Sequence, residues 1–437
     1  MVAQVDQAGA ERAVSRRAWR FEAQRWLWSN SERERARSCN LTTVGGDVTV
    51  RASVGADGLR HGGFHGLQTC GSVWSCPTCS PVILARRQDE LAAAVRAGAR
   101  LGLRPAVMTF TIGHHREDPL MAVWDGVQAA HHAMFSGRQA LDEAETYGQA
   151  TGPLVTTCDV ACCGAVYGCE VKCCGEDSPM GKRHALVCRG GQITRAARRH
   201  ARSCRIGHPE SSVLPWSRVV ETKYGEHGWH VHQHMLVLLP ADASPWALYG
   251  SMWSRWAAAA RREGFEAESV NRVFWADDEI RVAEYLCKGG MSADRLVGFE
   301  LARGDLKVGR VGGSRTSIEI LADAMAGDEE SALLWAEWEA GSAGRRQMTW
   351  AGGARELLEI GAEQTDEEIA SEETGTADDD VAVIPAGAYR ALVALIPGRR
   401  SDLLRAVEES AASLFALLAR WGVPWDAPFL PPPKRQP

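Results

Sequence analysis

No apolar run in the 437 residues reaches the roughly 18 needed for a membrane helix. The amino-terminal stretch MVAQVDQAGAERAVSRRAWR carries charge from the start and has no apolar h-region. The first absence excludes a helical membrane span and the second a secretory leader, so a cytoplasmic protein without a membrane partner is expected. In that compartment a disulfide framework is not expected either, and the 13 cysteines read as metal ligands or buried thiols. There is no internal repeat. An excess of positive charge is also lacking, the formal net charge being −6. Taken alone, that figure argues against a nucleic-acid partner.

The average conceals segments of opposite sign. Residues 180–205, MGKRHALVCRGGQITRAARRHARSCR, hold eight Lys or Arg and no carboxylate, and can neutralise phosphates. Residues 363–380, EQTDEEIASEETGTADDD, hold nine carboxylates and no base, and read as a disordered acidic linker. These shifts divide the chain. Residues 1–37 form an Arg- and Glu-rich helical lead with apolar positions at helical spacing in AWRFEAQRWLW. Residues 38–100 carry a Cys-x-x-Cys module followed by a helix, and 101–360 the working body, with a cysteine-rich insert at about 151–208. An acidic linker, 361–383, then separates a helical carboxy-terminal segment and Pro-rich tail, 384–437.

The stretch GEHGWHVHQHMLVLLP places His230, His232 and His234 at alternate positions and continues into an apolar run stopped by Pro240. A period of two puts the three imidazoles on one face of a strand, with Val231, Gln233 and Met235 on the other. The apolar run argues for a strand inside a sheet. One histidine there would read as an ordinary half-exposed residue. Three projecting in parallel form a metal-ligand pattern, because imidazolium ions side by side would repel.

Cysteines fall in two groups. In CGSVWSCPTCSPVILARRQDEL, Cys76 and Cys79 form a C-x-x-C turn containing Pro77, with Cys70 just before it. Ser80-Pro81 then supplies an N-cap and first position for a helix running to about Ala99. A knuckle followed by a helix suits structural zinc, with Cys39 the candidate fourth ligand; buried reduced thiols or a redox pair are the alternatives. The second group, Cys158, Cys162, Cys163, Cys169, Cys173, Cys174, Cys188 and Cys204, lies among few large apolar residues. Metal would have to organise that segment if it is ordered.

In EIRVAEYLCKGG, a helix is expected over 281–288, stopped at Gly289-Gly290. Tyr285 and Lys288, three apart, share one face of it. Of the six tyrosines, this one stands on a predicted helix with a lysine one turn on. In isolation such a pair reads as an amphipathic surface.

The order VMTFTIGHHREDPL, VVETKYGEHGWHVHQHMLVLL and EYLCKGG resembles the three motifs of the HUH-type rolling-circle replication initiators, most closely those of actinobacterial plasmids. The flanking CGSVWSCPTC and LLWAEWEAGSAGRRQMTWAGGAREL look like segments of the same family. The resemblance spans roughly 38–360 and implies an α+β fold: an HUH endonuclease core with a central antiparallel sheet flanked by helices, plus cysteine-rich zinc-type modules and a small helical carboxy-terminal segment. Two departures stand out: Gln233 replaces the bulky hydrophobe usual between the last two histidines, and the distance from Thr111 to Glu221 is stretched by the insert.

The resemblance implies metal-dependent nicking. A divalent ion, Mg²⁺ or Mn²⁺, would be held by His232 and His234, with His230 or Glu221 completing the set. Tyr285 would be the nucleophile, forming a 5′-phosphotyrosine and freeing a 3′-OH primer, with Lys288 lowering the phenol's pKa or balancing phosphate charge. Thr109 and Thr111 are assigned support. Implied partners are plasmid origin DNA, single-stranded or supercoiled, and host helicase and polymerase. Two other readings stay open: a noncatalytic zinc-organised DNA-binding protein, and an HUH relaxase or transposase.

Overall fold

The computed structural model describes residues 2–55, 58–150, 212–267, 273–275, 314–372 and 379–427. Its elements, in chain order, are α1 (Val2–Asn30), α2 (Glu34–Ser38), β1 (Val48–Val54), β2 (Arg60–His65), α3 (Cys79–Arg100), β3 (Leu103–Thr111), α4 (Leu120–Met134) and α5 (Gly137–Tyr147). Then come β4 (Gln149–Ala150), β5 (Ser212–Val213), β6 (Trp216–Gly225), β7 (Gly228–Pro240), α6 (Pro245–Arg262), β8 (Val273–Trp275), α7 (Ser317–Met325) and α8 (Glu329–Ser342). The remainder is β9 (Met348–Trp350), α9 (Ala354–Leu358), α10 (Asp366–Ser371), β10 (Asp380–Ile384), α11 (Ala386–Tyr389), α12 (Arg399–Glu409) and α13 (Ala411–Trp421). The class is α+β with antiparallel sheets, as the sequence leads one to expect.

The larger sheet has the order β8-β3-β7-β6-β9. The histidine-bearing β7 is therefore its middle strand, paired with β3 from Leu103–Pro240 to Thr111–His232 and with β6 from Trp216–Val237 to Gly225–Gly228. The β6–β7 turn is tight, and Gly228 adopts φ +82°, where an added Cβ would meet the Arg116 backbone at 3.0 Å. A side chain fits neither requirement.

Alternation along these strands gives the sheet two faces. On one, Met108, Phe110, Val231, Met235 and Val237 join the apolar faces of α4 and α6 in the main core. On the other, Val107, Leu236 and Leu238 meet Leu91 and Val95 of α3. That second cover reaches one end of the face, and the polar end carries the histidines. Helix α3 starts at Cys79, one residue ahead of the expected Ser80 cap, and ends before Gly102, whose φ of +74° suits a left-handed stop.

A second sheet, β10-β1-β2, packs with α11, α12 and α13 around Val48, Val50, Ala382, Tyr389, Leu403 and Val407. This corrects the expected division of the chain. The carboxy-terminal segment does not stand apart, because β10 pairs antiparallel with β1 and completes its hydrogen bonding. Nor is 361–383 a free acidic linker throughout. Thr365 and Glu368 form a capping box that starts α10, and Asp366 pairs with buried Arg87 at 2.9 Å. Arg87 and Arg355 in turn share Glu90, at 3.1 and 3.0 Å. Asp380 pairs with Arg51 across the β10–β1 ladder. The carboxylates are ordered by arginines distant in sequence, which composition cannot reveal.

Candidate metal centre and cysteine cluster

The β6–β7 register sets Glu221 opposite His232, and β3 sets Thr109 opposite His234. All four side chains rise from the same face and are buried. His232 Nε2 and His234 Nε2 lie 3.1 Å apart, and each is 3.2 Å from Glu221 Oε2. Two imidazole nitrogens and one carboxylate oxygen thus converge on one point, a donor set suited to a divalent cation. The other atoms of these residues are occupied in an ordered way. Thr109 Oγ1 hydrogen-bonds His234 Nδ1 at 2.9 Å, which fixes that ring with Nε2 toward the convergence point. Lys223 Nζ takes Glu221 Oε1 at 2.8 Å and leaves Oε2 free to face the histidines.

Electrostatics follow from this packing. Burial by itself would raise Glu221, but hydrogen bonds from His232 and His234, helped by Lys223, hold it well below the usual carboxylate range. Burial lowers His232, so the imidazole keeps the neutral, ligating form.

His230 stands outside this group. Its Nδ1 is 3.0 Å from His114 Nε2, and His114 Nδ1 is 2.8 Å from the His227 carbonyl. Burial, then His232 and His114, push His230 down to about 3. Of the two candidates to complete the set, the fold therefore brings in Glu221. His114 and Lys223 are neighbours that sequence reading passed over. His114 lies in GHHRED, but a loop residue carries no periodicity that ties it to a strand 116 positions away. Tyr285 and Lys288 lie outside the described residues, as does the second cysteine group, Cys158 to Cys204, with its basic stretch.

On the opposite face, Gln233 is fully buried. It lies near His131 of α4, whose value is pushed down to about 2 by burial first and then by Arg218 and His132. Arg218 Nη1 donates to Gln128 of the same helix at 3.0 Å. The unusual residue between the histidines thus belongs to a polar seam between β7 and α4.

The first cysteine group does assemble. Cys39, at the end of α2, meets Cys76 and Cys79 at 3.4 Å each, and Cys70 meets Cys79 at 3.9 Å. All four are buried, with their sulfurs within 4.8 Å of one another. Four thiols in one buried group cannot all ionise unaided. Hydrogen bonds from Cys70, Cys76 and Cys79 lower Cys39, while Cys70 and Cys79 are raised chiefly by Cys39, and Cys76 by burial. Four sulfurs at this spacing could hold one metal ion between them. The knuckle is pinned to the larger core through Trp74, whose Nε1 donates to the Arg345 carbonyl at 2.7 Å and whose own carbonyl accepts from Trp338 Nε1 at 3.1 Å.

No family model matches the chain, and no solved structure matches it. A curated relative, "Protein rep" of Streptomyces lividans, is 26% identical over 350 residues, covering 69% of this chain. The chain spans 66% of that relative's length, just under two thirds. The protein is therefore similar to a Rep-type replication protein. Among the described residues, no helix is long and apolar enough to cross a membrane.

Proposed function

We propose that the protein is a plasmid replication initiator with an HUH core, which nicks origin DNA through Tyr285 at a centre built by Glu221, His232 and His234. The observation that carries this reading is the convergence of two buried imidazoles and a buried carboxylate on the middle strand of an antiparallel sheet. The likeness to a Rep protein supports plasmid origin DNA as the substrate.

The donor set fits a divalent ion, since both Nε2 atoms and Oε2 face one point and the outer atoms are held by Thr109 and Lys223. When bound, the ion supplies Lewis-acid stabilisation of charge on the scissile phosphate. Two imidazoles favour Mn²⁺ over Mg²⁺, which prefers oxygen and gives up water reluctantly. His232 and His234 act as donors through Nε2, and Glu221 stays ionised. Tyr285 loses its phenolic proton to solvent and attacks phosphorus, the P–O bond to the phenolic oxygen forms as the P–O3′ bond breaks, and the 3′-oxygen takes a proton from solvent to leave as the primer hydroxyl. Lys288 balances charge at the phosphate. Against a noncatalytic zinc protein, the four cysteines offer a structural ion a separate site, which leaves the Glu221, His232, His234 group without a purely structural need.

Tyr285→Phe tests the reading at one atom. Incubated with supercoiled plasmid carrying its own gene region and Mn²⁺, the wild-type protein should give nicked circles bound covalently to protein, with a nucleotide on the peptide VAEYLCK by mass spectrometry. The variant should bind DNA yet give neither product. An adduct on Tyr224 would overturn the assignment of the nucleophile; no adduct with any origin DNA would overturn the nickase reading.

A further inference from the structure

Beside the cysteine cluster lies a groove of about 760 Å³ that the nicking centre does not use. It is bounded by α1, β1, β2, the start of α3 and the end of α10. Arg17, Arg20, Arg35 and Arg51 line it, against one lining carboxylate, Glu372. Glu408 and Asp380 hold Arg17 and Arg51. Arg20 and Arg35 have no carboxylate partner among the described residues, and Arg20 Nε is buried without an acceptor. Burial and then Arg16 lower Arg20 to about 10, so its charge lacks compensation where it sits. An anion in the groove would supply that compensation.

The rest of the lining narrows the anion's identity. Phe21 and Phe64 contribute to the wall, and Val44 and Val82 also line it, 68% and 49% exposed. A small inorganic anion needs no such apolar surface. Arginines beside aromatic and aliphatic surface are what a nucleic-acid strand uses, phosphates on guanidinium groups and base faces on apolar groups.

We propose that this groove grips single-stranded DNA, with Arg20 and Arg35 on phosphates. The inference rests on the nickase reading for its source of single strand, the strand opened at the origin. Because α3 starts at the cysteine cluster and packs on β3, with Leu91 and Val95 in one apolar cluster with Val107, Leu236 and Leu238, the groove is tied to the sheet that carries the histidines. Cysteine cluster and groove then form one device that keeps a strand at a fixed place relative to the nicking centre.

The test is fluorescence anisotropy with a labelled mixed-sequence 20-nucleotide single strand, using full-length protein across a NaCl series. Arg20→Gln/Arg35→Gln should weaken binding on the order of tenfold at low salt and reduce the slope of log K against log salt by about 1.4, two contacts at roughly 0.7 each. Arg35→Gln alone, on an exposed helix position, should give about half that slope change and guards against a folding defect in the double variant. Photocrosslinking of a bromodeoxyuridine-substituted strand should label peptides containing Phe21 or Phe64. Unchanged affinity and slope in both variants, or crosslinks confined elsewhere, would overturn the groove. If origin nicking by the wild-type protein persists in that case, the nickase reading survives; if the wild-type protein neither nicks nor binds DNA, both fall.

Discussion

His232 and His234 present the same nitrogen to the same point, yet their outer nitrogens differ. His234 Nδ1 is held by Thr109, whereas His232 Nδ1 is buried with no hydrogen-bond partner among the described residues. If this is the metal centre, Thr109→Val should weaken Mn²⁺ binding by about 10- to 100-fold, the usual cost of losing an outer-shell partner, as read by calorimetry. Glu221→Ala should weaken it more than His230→Ala, because His230 is engaged with His114 outside the converging group. Equal losses from both would return His230 to the ligand set. His132 and His131, by contrast, lie on α4 behind the sheet, and His131 offers a pH test of folding. Burial pushes it down to about 2. Below the ordinary histidine value the unfolded chain therefore binds a proton that the folded chain refuses. Stability rises with pH across that window, and on acidification from pH 7 to 5 His131 alone should cost about 2 kcal/mol. Urea unfolding of His131→Leu at the two pH values should show a smaller loss on acidification than the wild type. Identical losses would mean that His131 titrates in the fold as it does in the unfolded chain.

At the scale of elements, what could be read in advance was whatever repeats with a short period. The alternation of His230, His232 and His234 declared a strand with one polar face, and the apolar run behind it declared a central position; β7 has both. The C-x-x-C turn and its helix were equally local, and Cys39 was placed with them although it lies 37 residues before Cys76. What escaped was pairing across distance. The acidic stretch looked solvated because its partners, Arg87 and Arg51, are hundreds of residues earlier. The contact of β2 with α12 was hidden for the same reason. There Gly62 is the point of closest approach, and an added Cβ would lie 2.8 Å from Val407 Cγ1 and 2.9 Å from the Leu404 carbonyl oxygen. A backbone oxygen cannot swing aside as a side chain can. Gly62→Ala should therefore push α12 off the strand and cost about 1–3 kcal/mol, whereas Gly63→Ala, which meets nothing within 4 Å, should be nearly neutral. Chemical denaturation of the two variants checks the contrast, and equal midpoints would show that the strand and helix are not closely packed.

Over the whole molecule, segments near the start and the end of the described chain pack together. Helix α1 is tied to α12 by Arg17 and Glu408, β10 borders β1, and the carboxy-terminal helices supply Leu403, Val407, Leu414 and Leu418 to the core that buries Val48 and Val50. The larger sheet draws its apolar support from α3, α4 and α6 instead. The two cores thus depend differently on the last sixty or so residues. A chain truncated after Glu372 would expose one side of β1 and strip its face of partners, and a two-stranded remnant without a packed face is marginal in water. The same truncation leaves β3, β6 and β7 with all their neighbours. Hydrogen exchange should accordingly show that amides of residues 48–65 lose protection in the truncated chain, while those of 106–111 and 230–239 keep it. Mn²⁺ binding at Glu221, His232 and His234 should persist, but affinity for single strands should fall, because Arg51, Phe64 and the β1–β2 wall of the groove are no longer held. Full protection of β1 in the truncated chain would show that the amino-terminal part folds without its carboxy-terminal partner, and loss of protection in β7 would show that the two cores unfold as one unit.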